Sequence, residues 1–238
     1  VPFYNEETNV SILAGEIIAA METAPDVTFE CVFVNDGSVD GTPAVMDQLA
    51  AADPRIRALH LPRNMGQSAA VVTGMRQARG RFIATLDGDL QNDPADLPKV
   101  YELLQSHDCV CGYRAQRNDS AIRKLSSRVA NAVRQAVLAD GIRDAGCGTK
   151  GFRRECVDHV VPFNGAHRFF AVMMRAAGFS IVELAVRHRP RQHGESKYGI
   201  NNRLWRGIYD LIGVGWLRKR YLALPAPIEA GRTENDPS

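Results

Sequence analysis

Apolar positions along this chain fall into two alternating rhythms. Phe82 to Leu86 is an apolar run of strand length and reads as a buried strand, and Phe29 to Val34, Ile56 to Leu61 and Asp108 to Gly112 read as further strands. Between them the period lengthens to that of a helix. Thr8 to Met21 sets Val10, Leu13, Ile17 and Ile18 on one face, and Pro43 opens a second helix in the first-turn position where proline is tolerated. Further helices are expected from Ser68 to Ala78 and after Pro94, while Val1 to Glu7 reads as a strand end running into a loop. Strands alternating with helices of about 10–15 residues predict an α/β fold with a Rossmann-like, mostly parallel central sheet flanked by helices.

The rhythm changes after Gly112. A helix from Ser120 to Leu138 is expected, with Ile122, Leu125, Val129, Val133 and Val137 as its stripe and a basic, solvated opposite face. Asp144 to Phe152 reads as an extended, Gly-rich segment re-entering the core. A short helix from Arg168 to Gly178 and a strand from Ser180 to Arg187 follow. Arg189 to Lys197 is a loop too basic to be needed for folding, and it suits a phosphate clamp. The last helix, Asn202 to Lys219, is apolar over much of its surface, with two tryptophans and flanking cations. Packing on the sheet and lying in a membrane interface explain that pattern equally well. One domain over 1–222 is expected, in two halves at about 1–112 and 113–222, with a disordered tail at 223–238.

Composition sharpens this division. The 238 residues carry a net charge of only +2, but residues 1–112 hold 7 Lys and Arg against 16 Asp and Glu, and residues 113–238 hold 22 against 11. An acidic half able to hold a metal precedes a basic half able to hold phosphate. No nucleic-acid motif is present, and no nucleic-acid partner is expected. The five cysteines lack zinc-ligand spacing and are expected as core thiols. No signal peptide or apolar run of spanning length occurs. The opening Val1-Pro2, without a methionine, is expected to follow a strand in a longer gene product.

The candidate chemistry centres on Asp87-Gly88-Asp89, just past the Phe82 to Leu86 run. Two carboxylates so close to a buried strand are costly unless a cation sits between them, and Mg²⁺ or Mn²⁺ is the usual answer. Gly88 is expected to let a bulky ligand approach, and Gln91 to add a neutral oxygen. The simpler reading is a polar strand-to-helix turn capped by Asn92 or Asp93 before Pro94. In such sheets ligands bind at the carboxyl ends of strands. Three acidic loops, Tyr4 to Glu6, Asp36 to Asp40 and Asp87 to Gln91, fall at that rim.

Several short motifs occur in a telling order: Val1-Pro2 with Tyr4-Asn5-Glu6, Asn35-Asp36-Gly37-Ser38 with Asp40-Gly41-Thr42, and Asn64 with Gly66. Asp87-Gly88-Asp89-Leu90-Gln91, Gly112-Tyr113-Arg114, Arg123 to Ser127 and Gly194-Glu195-Ser196-Lys197 follow. The set resembles family 2 glycosyltransferases of the GT-A fold, and within them the dolichol-phosphate mannose synthase group, over about residues 1–200. The resemblance implies that Pro2, Tyr4, Glu6, Asp36, Asp87 and Gly88 meet the nucleotide of a sugar donor. It implies that Asp87, Asp89 and Gln91 hold Mg²⁺ or Mn²⁺ against the diphosphate. Arg114, Arg123 and Ser127 would meet the acceptor phosphate or the sugar-linked phosphates, and Arg191 and Lys197 would close over them. Departures from the pattern are Asn35 for the first carboxylate of D-D-G-S, D-G-D for D-A-D, and His193 where some relatives carry arginine.

The implied reaction is metal-dependent, inverting transfer of a hexose from a GDP- or UDP-sugar to a polyprenyl phosphate. Membrane contact would be peripheral, at the cytoplasmic face of the cytoplasmic membrane, with a homodimer or membrane partner open. The alternatives are a family 2 enzyme acting on a saccharide hydroxyl and an inactive nucleotide-sugar-binding scaffold. A redox Rossmann enzyme is disfavoured, because no G-x-G-x-x-G follows the second or third strand.

Overall fold

Burial on both faces is reached by Cys31–Asn35 alone of the first strands; the Phe82 run, expected as a buried strand, leaves Ala84 exposed. In the computed structural model, which describes residues 1–115, 133–190 and 201–222 (backbone alone for 201–206), β2 is Cys31–Asn35, buried at every position. It pairs in parallel with β1 (Pro2–Phe3) on one side and β3 (Ile56–His60) on the other. A second sheet runs β4-β6-β5-β7. Its strands are β4 (Phe82–Thr85), β5 (Cys109–Arg114), β6 (Lys150–Arg153) and β7 (Ile181–Val186). β5 and β7 are parallel, and β6 lies antiparallel between β4 and β5. The single sheet expected from the sequence is thus two hydrogen-bonded sheets. An apolar cavity of about 550 Å³, lined by Val1, Cys31, Val32, Ile83, Leu97 and Val100 among others, lies between them.

The helices follow from their apolar stripes. α1 (Glu7–Glu22) buries Val10, Leu13 and Ile17, and its buried Asn9 donates to Glu6. α2 (Thr42–Ala52) has the early proline, and α3 (Gln67–Gln77) follows Gly66, whose φ of 91° suits glycine. Asp93 accepts the Ala95 N–H and caps a 3₁₀ turn, Pro94–Asp96, before α4 (Leu97–Leu104). Residues 133–138 are helical (α5), and α6 is Arg154–Val157. The helix expected over Arg168 to Gly178 divides into a 3₁₀ turn, Ala166–Arg168, and α7 (Phe170–Ala176). α8 spans Asn201–Arg220. Residues 116–132 of the expected basic helix, residues 191–200 of the basic loop and the 223–238 tail lie outside the described residues.

Two main cores hold these layers. One gathers Phe3, Leu13, Phe33 and Leu86, with Phe3 and Phe33 edge to face at 5.2 Å. The other gathers Ile83, Leu138, Phe152, Phe170 and Val214, with Phe152 and Phe170 edge to face at 5.8 Å. Each fully buried phenylalanine contributes roughly 1.5–3 kcal/mol. All five cysteines are free and buried, as core thiols should be.

Candidate active site

The turn after β4 is built by its own polar groups. The Asp87 N–H donates to Asn92 Oδ1 at 3.1 Å, and the Gln91 N–H donates to Asp89 Oδ1 at 3.2 Å. Leu90, at φ 61°, carries the chain through the left-handed region. A Cβ at Gly88 would lie 2.6 Å from both the Phe3 ring and the Pro2 carbonyl oxygen, so this glycine lets the turn pack on β1.

The turn opens on a cavity of about 1100 Å³. Its lining brings together Asp87, Gln91 and Arg114 from the expected site, and adds Gln67, Lys150 and His167. Gln67 Nε2 donates to Asp87 Oδ1 at 2.8 Å. Arg114, at the end of β5, makes a paired contact with Asp144, Nε to Oδ2 at 2.6 Å and Nη2 to Oδ1 at 2.9 Å. Lys150 opens β6 directly opposite Thr85 of β4, and its ammonium donates to the carbonyls of Ala145 and Cys147. Burial, then the nearby Asp89 charge, push the Asp87 carboxyl up to about 6, while Lys150 and Arg114 oppose that rise.

His167 is neutral here. Burial, then Lys150 and Arg168, push it down to about 3. Its Nδ1 lies 2.7 Å from Ser68 Oγ, which accepts the Gly165 N–H at 2.9 Å. Arg168 Nη2 meets Asp210 of α8 at 3.2 Å, so α8 supplies part of the cavity wall.

The other expected residues that the structure describes are not part of this cavity's lining. Asp89 is half-buried on the turn and is not part of the lining. Asp36 is buried and accepts the N–H groups of Met65 and Gly66 at 2.7 and 2.9 Å, tying the loop after β3 to the end of β2. Glu6 accepts from Asn9, and its N–H donates to Thr42 Oγ1 at 2.9 Å. Tyr4 is half-buried nearby in sequence, and Pro2 lines the apolar cavity instead. Arg123, Ser127, Arg191 and Lys197, with His193, lie outside the described residues. Lys150, Gln67, Ser68 and His167 went unread in the sequence, although a lysine within the Gly-rich stretch Gly146 to Gly151 was an available signal.

The donor set fits a hard divalent cation. Among the described residues no three His, Cys, Asp or Glu side chains cluster as a metal cage. Asp87 and Gln91 line the cavity and Asp89 lies on the same turn; two carboxylates and one amide would leave such an ion positions for phosphate and water. Burial first and then the Asp89 charge raise the Asp87 pKa, and a cation would oppose both.

The chain is 38% identical over 94% of its length to dodecaprenyl-phosphate galacturonate synthase of Rhizobium johnstonii. It is 34% identical over 89% of its length to undecaprenyl-phosphate 4-deoxy-4-formamido-L-arabinose transferase of Aeromonas hydrophila. It spans 68% of the first relative and 65% of the second. Its fold matches glucosyl-3-phosphoglycerate synthase from Mycobacterium tuberculosis, a structure with Mn²⁺, UDP-glucose and phosphoglyceric acid. The TM-score is 0.61 at 16% identity, over 91% of this chain and 77% of that one. The model of glycosyl transferase family 2 matches residues 1–161, a stretch that holds β1 through β6 and the cavity charges Asp87, Arg114 and Lys150, and the chain belongs to that family.

Proposed function

We propose that this chain transfers a sugar, with inversion, from a nucleoside diphosphate sugar to a polyprenyl phosphate, with Mg²⁺ or Mn²⁺. The observation that carries the reading is one cavity lined by Asp87 and Gln91 together with Arg114 and Lys150. Asp87, Asp89 and Gln91 would hold the metal, which when bound supplies a Lewis acid against the departing diphosphate. Arg114, oriented by Asp144, presents fixed positive charge to phosphate oxygens, and Lys150 adds positive potential from the cavity floor. Neither side chain has to be assembled when the substrate arrives.

A phosphate monoester acceptor is already anionic near neutrality, with a second pKa of about 6, and needs no strong base. This agrees with His167, whose depressed pKa makes it a poor proton acceptor. A hydroxyl acceptor would require a carboxylate base, and Asp87 is committed to the metal while Asp210 is paired with Arg168. The named relatives act on dodecaprenyl and undecaprenyl phosphates, which supports the same acceptor class. Among the described residues no helix is long and apolar enough to cross a bilayer.

The test is transfer by purified protein with Mn²⁺ or Mg²⁺, undecaprenyl phosphate and a panel of radiolabelled UDP- and GDP-sugars, beside Asp89→Ala. Label entering the organic phase with one donor, and only in the wild type, is the expected result. Metal-dependent transfer to a saccharide, with no lipid product, would overturn the acceptor assignment.

A further inference from the structure

The basic run that the sequence marks as a phosphate clamp opens with a residue used otherwise. Arg189 follows β7 and runs alongside the acidic turn after β4. The two segments are laced together through their backbones. Asn92 and His188 form an antiparallel bridge, the Arg189 N–H donates to the Gln91 carbonyl at 2.9 Å, and the Arg187 N–H donates to Asp96 Oδ2 at 2.7 Å. The Arg189 guanidinium spans the join. Its Nη1 donates to both carboxylate oxygens of Glu16 on α1, at 2.8 and 2.7 Å, and its Nη2 donates to Asp93 Oδ1 at 2.8 Å. Both terminal nitrogens are thus directed to carboxylates, and Arg189 is not part of the cavity's lining.

Burial gives these contacts weight. Asp93 is buried, and Glu16 and Arg189 are half-buried, so the pairs are screened less than surface ones. Guanidinium-to-carboxylate bonds are among the strong ones. Asp93 Oδ1 also accepts the Ala95 N–H at the start of the 3₁₀ turn. One guanidinium therefore ties α1, the 3₁₀ turn and the segment after β7 around Gln91 and Asn92. Those two residues reach the site directly: Gln91 lines the cavity, and Asn92 Oδ1 accepts the Asp87 N–H at 3.1 Å. A drift of Gln91 to Asp93 would move both the Gln91 amide and the backbone that carries the Asp87 carboxylate.

We propose that Arg189 is a positioning residue for the acidic turn. With Glu16 and Asp93 it forms a bracket that holds Gln91 and Asn92 where Asp87, Asp89 and Gln91 meet one divalent cation. It touches neither the ion nor the substrate. The effect on the cation rests on the reading of those three side chains as metal ligands, but the hold on the turn does not. Groups that orient metal ligands from outside the ligand set change metal affinity by about tenfold or more when removed.

The test compares wild type with Arg189→Met, Arg189→Lys and Glu16→Ala, with circular dichroism to report folding. Amide hydrogen exchange is followed over residues 87–96, and Mn²⁺ alone is titrated through the paramagnetic signal of the free ion. Arg189→Met keeps the apolar stem and the N–H bond to Gln91 while removing the guanidinium. Its exchange over 87–96 should rise about tenfold, and Mn²⁺ should bind about tenfold more weakly. Glu16→Ala, on α1 and outside the cavity lining, should show smaller changes in the same direction, and Arg189→Lys should restore part of the loss. A folded Arg189→Met that exchanges and binds Mn²⁺ as wild type does overturns the bracket, even if its thermal stability falls. Faster exchange with unchanged Mn²⁺ affinity overturns the link to the cation. Faster exchange in Arg189→Met, with no Mn²⁺ bound by wild type, upholds the hold on the turn and overturns the metal reading.

Discussion

Gly148 and Asp87 touch: a Cβ on Gly148 would overlap the Asp87 carboxylate. The loop entering β6 therefore leaves room for the acidic turn only because residue 148 has no side chain. Gly148→Ala should fold, at a cost of about 1–3 kcal/mol from overpacking, and should displace the carboxylate. We expect a loss of about a hundredfold in kcat and weaker Mn²⁺ activation, checked by steady-state kinetics across a metal titration. Unchanged metal activation would dissociate Asp87 from the metal.

Asp89→Asn keeps the shape of the turn and its hydrogen bond to the Gln91 N–H while removing charge. Loss of a metal-directed carboxylate should lower kcat by about 10²–10³. It should also relieve the repulsion on Asp87, whose pKa would fall. Activity equal to wild type at saturating Mn²⁺ would remove Asp89 from the metal set.

The raised Asp87 pKa sets a pH dependence. Its folded value of about 6 lies above the ordinary 3.8, so the folded state binds the extra proton between these values. This group favours folding fully below the lower value, and the benefit is lost as pH rises through the upper one. A cation competes with that proton. Thermal stabilisation by Mn²⁺ should therefore be larger at about pH 7.5 than at about pH 5, as scanning calorimetry can test. Equal stabilisation at both would show that Asp87 does not bind the ion.

Lys150→Met tests the cavity floor. It removes a buried cation that opposes the rise of the Asp87 pKa, so the acid limb of the pH–rate profile should move to higher pH. kcat should fall about tenfold to a hundredfold. A merely structural lysine would lower thermal stability while leaving that limb in place.

The strand and helix rhythm was legible because Cys31–Asn35 and Phe82–Thr85 are unbroken apolar runs and because Val10, Leu13 and Ile17 repeat at helical spacing. Asp87 and Gln91 were legible because they follow a strand directly. The antiparallel placement of β6 was not, since its pairing with β4 joins residues more than sixty positions apart and no local pattern encodes direction. Gln67, Lys150 and His167 escaped notice for the same reason: each comes from a separate element and is ordinary until the fold assembles the cavity. The packing of Gly88 on Pro2 and Phe3 was not legible, because a glycine signals close approach without saying to what. Nor was the tie from Asp36 to the backbone amides of Met65 and Gly66, which lie in the loop after β3.

The pairing of Thr85 with Lys150 has a mechanical consequence. β4 leads into the acidic turn two residues later, and β6 begins at the lysine, so Asp87 and Lys150 come to the cavity from neighbouring strands of one sheet. Their relative placement is set by the β4–β6 register, fixed during folding, so both charges are in place before any substrate arrives.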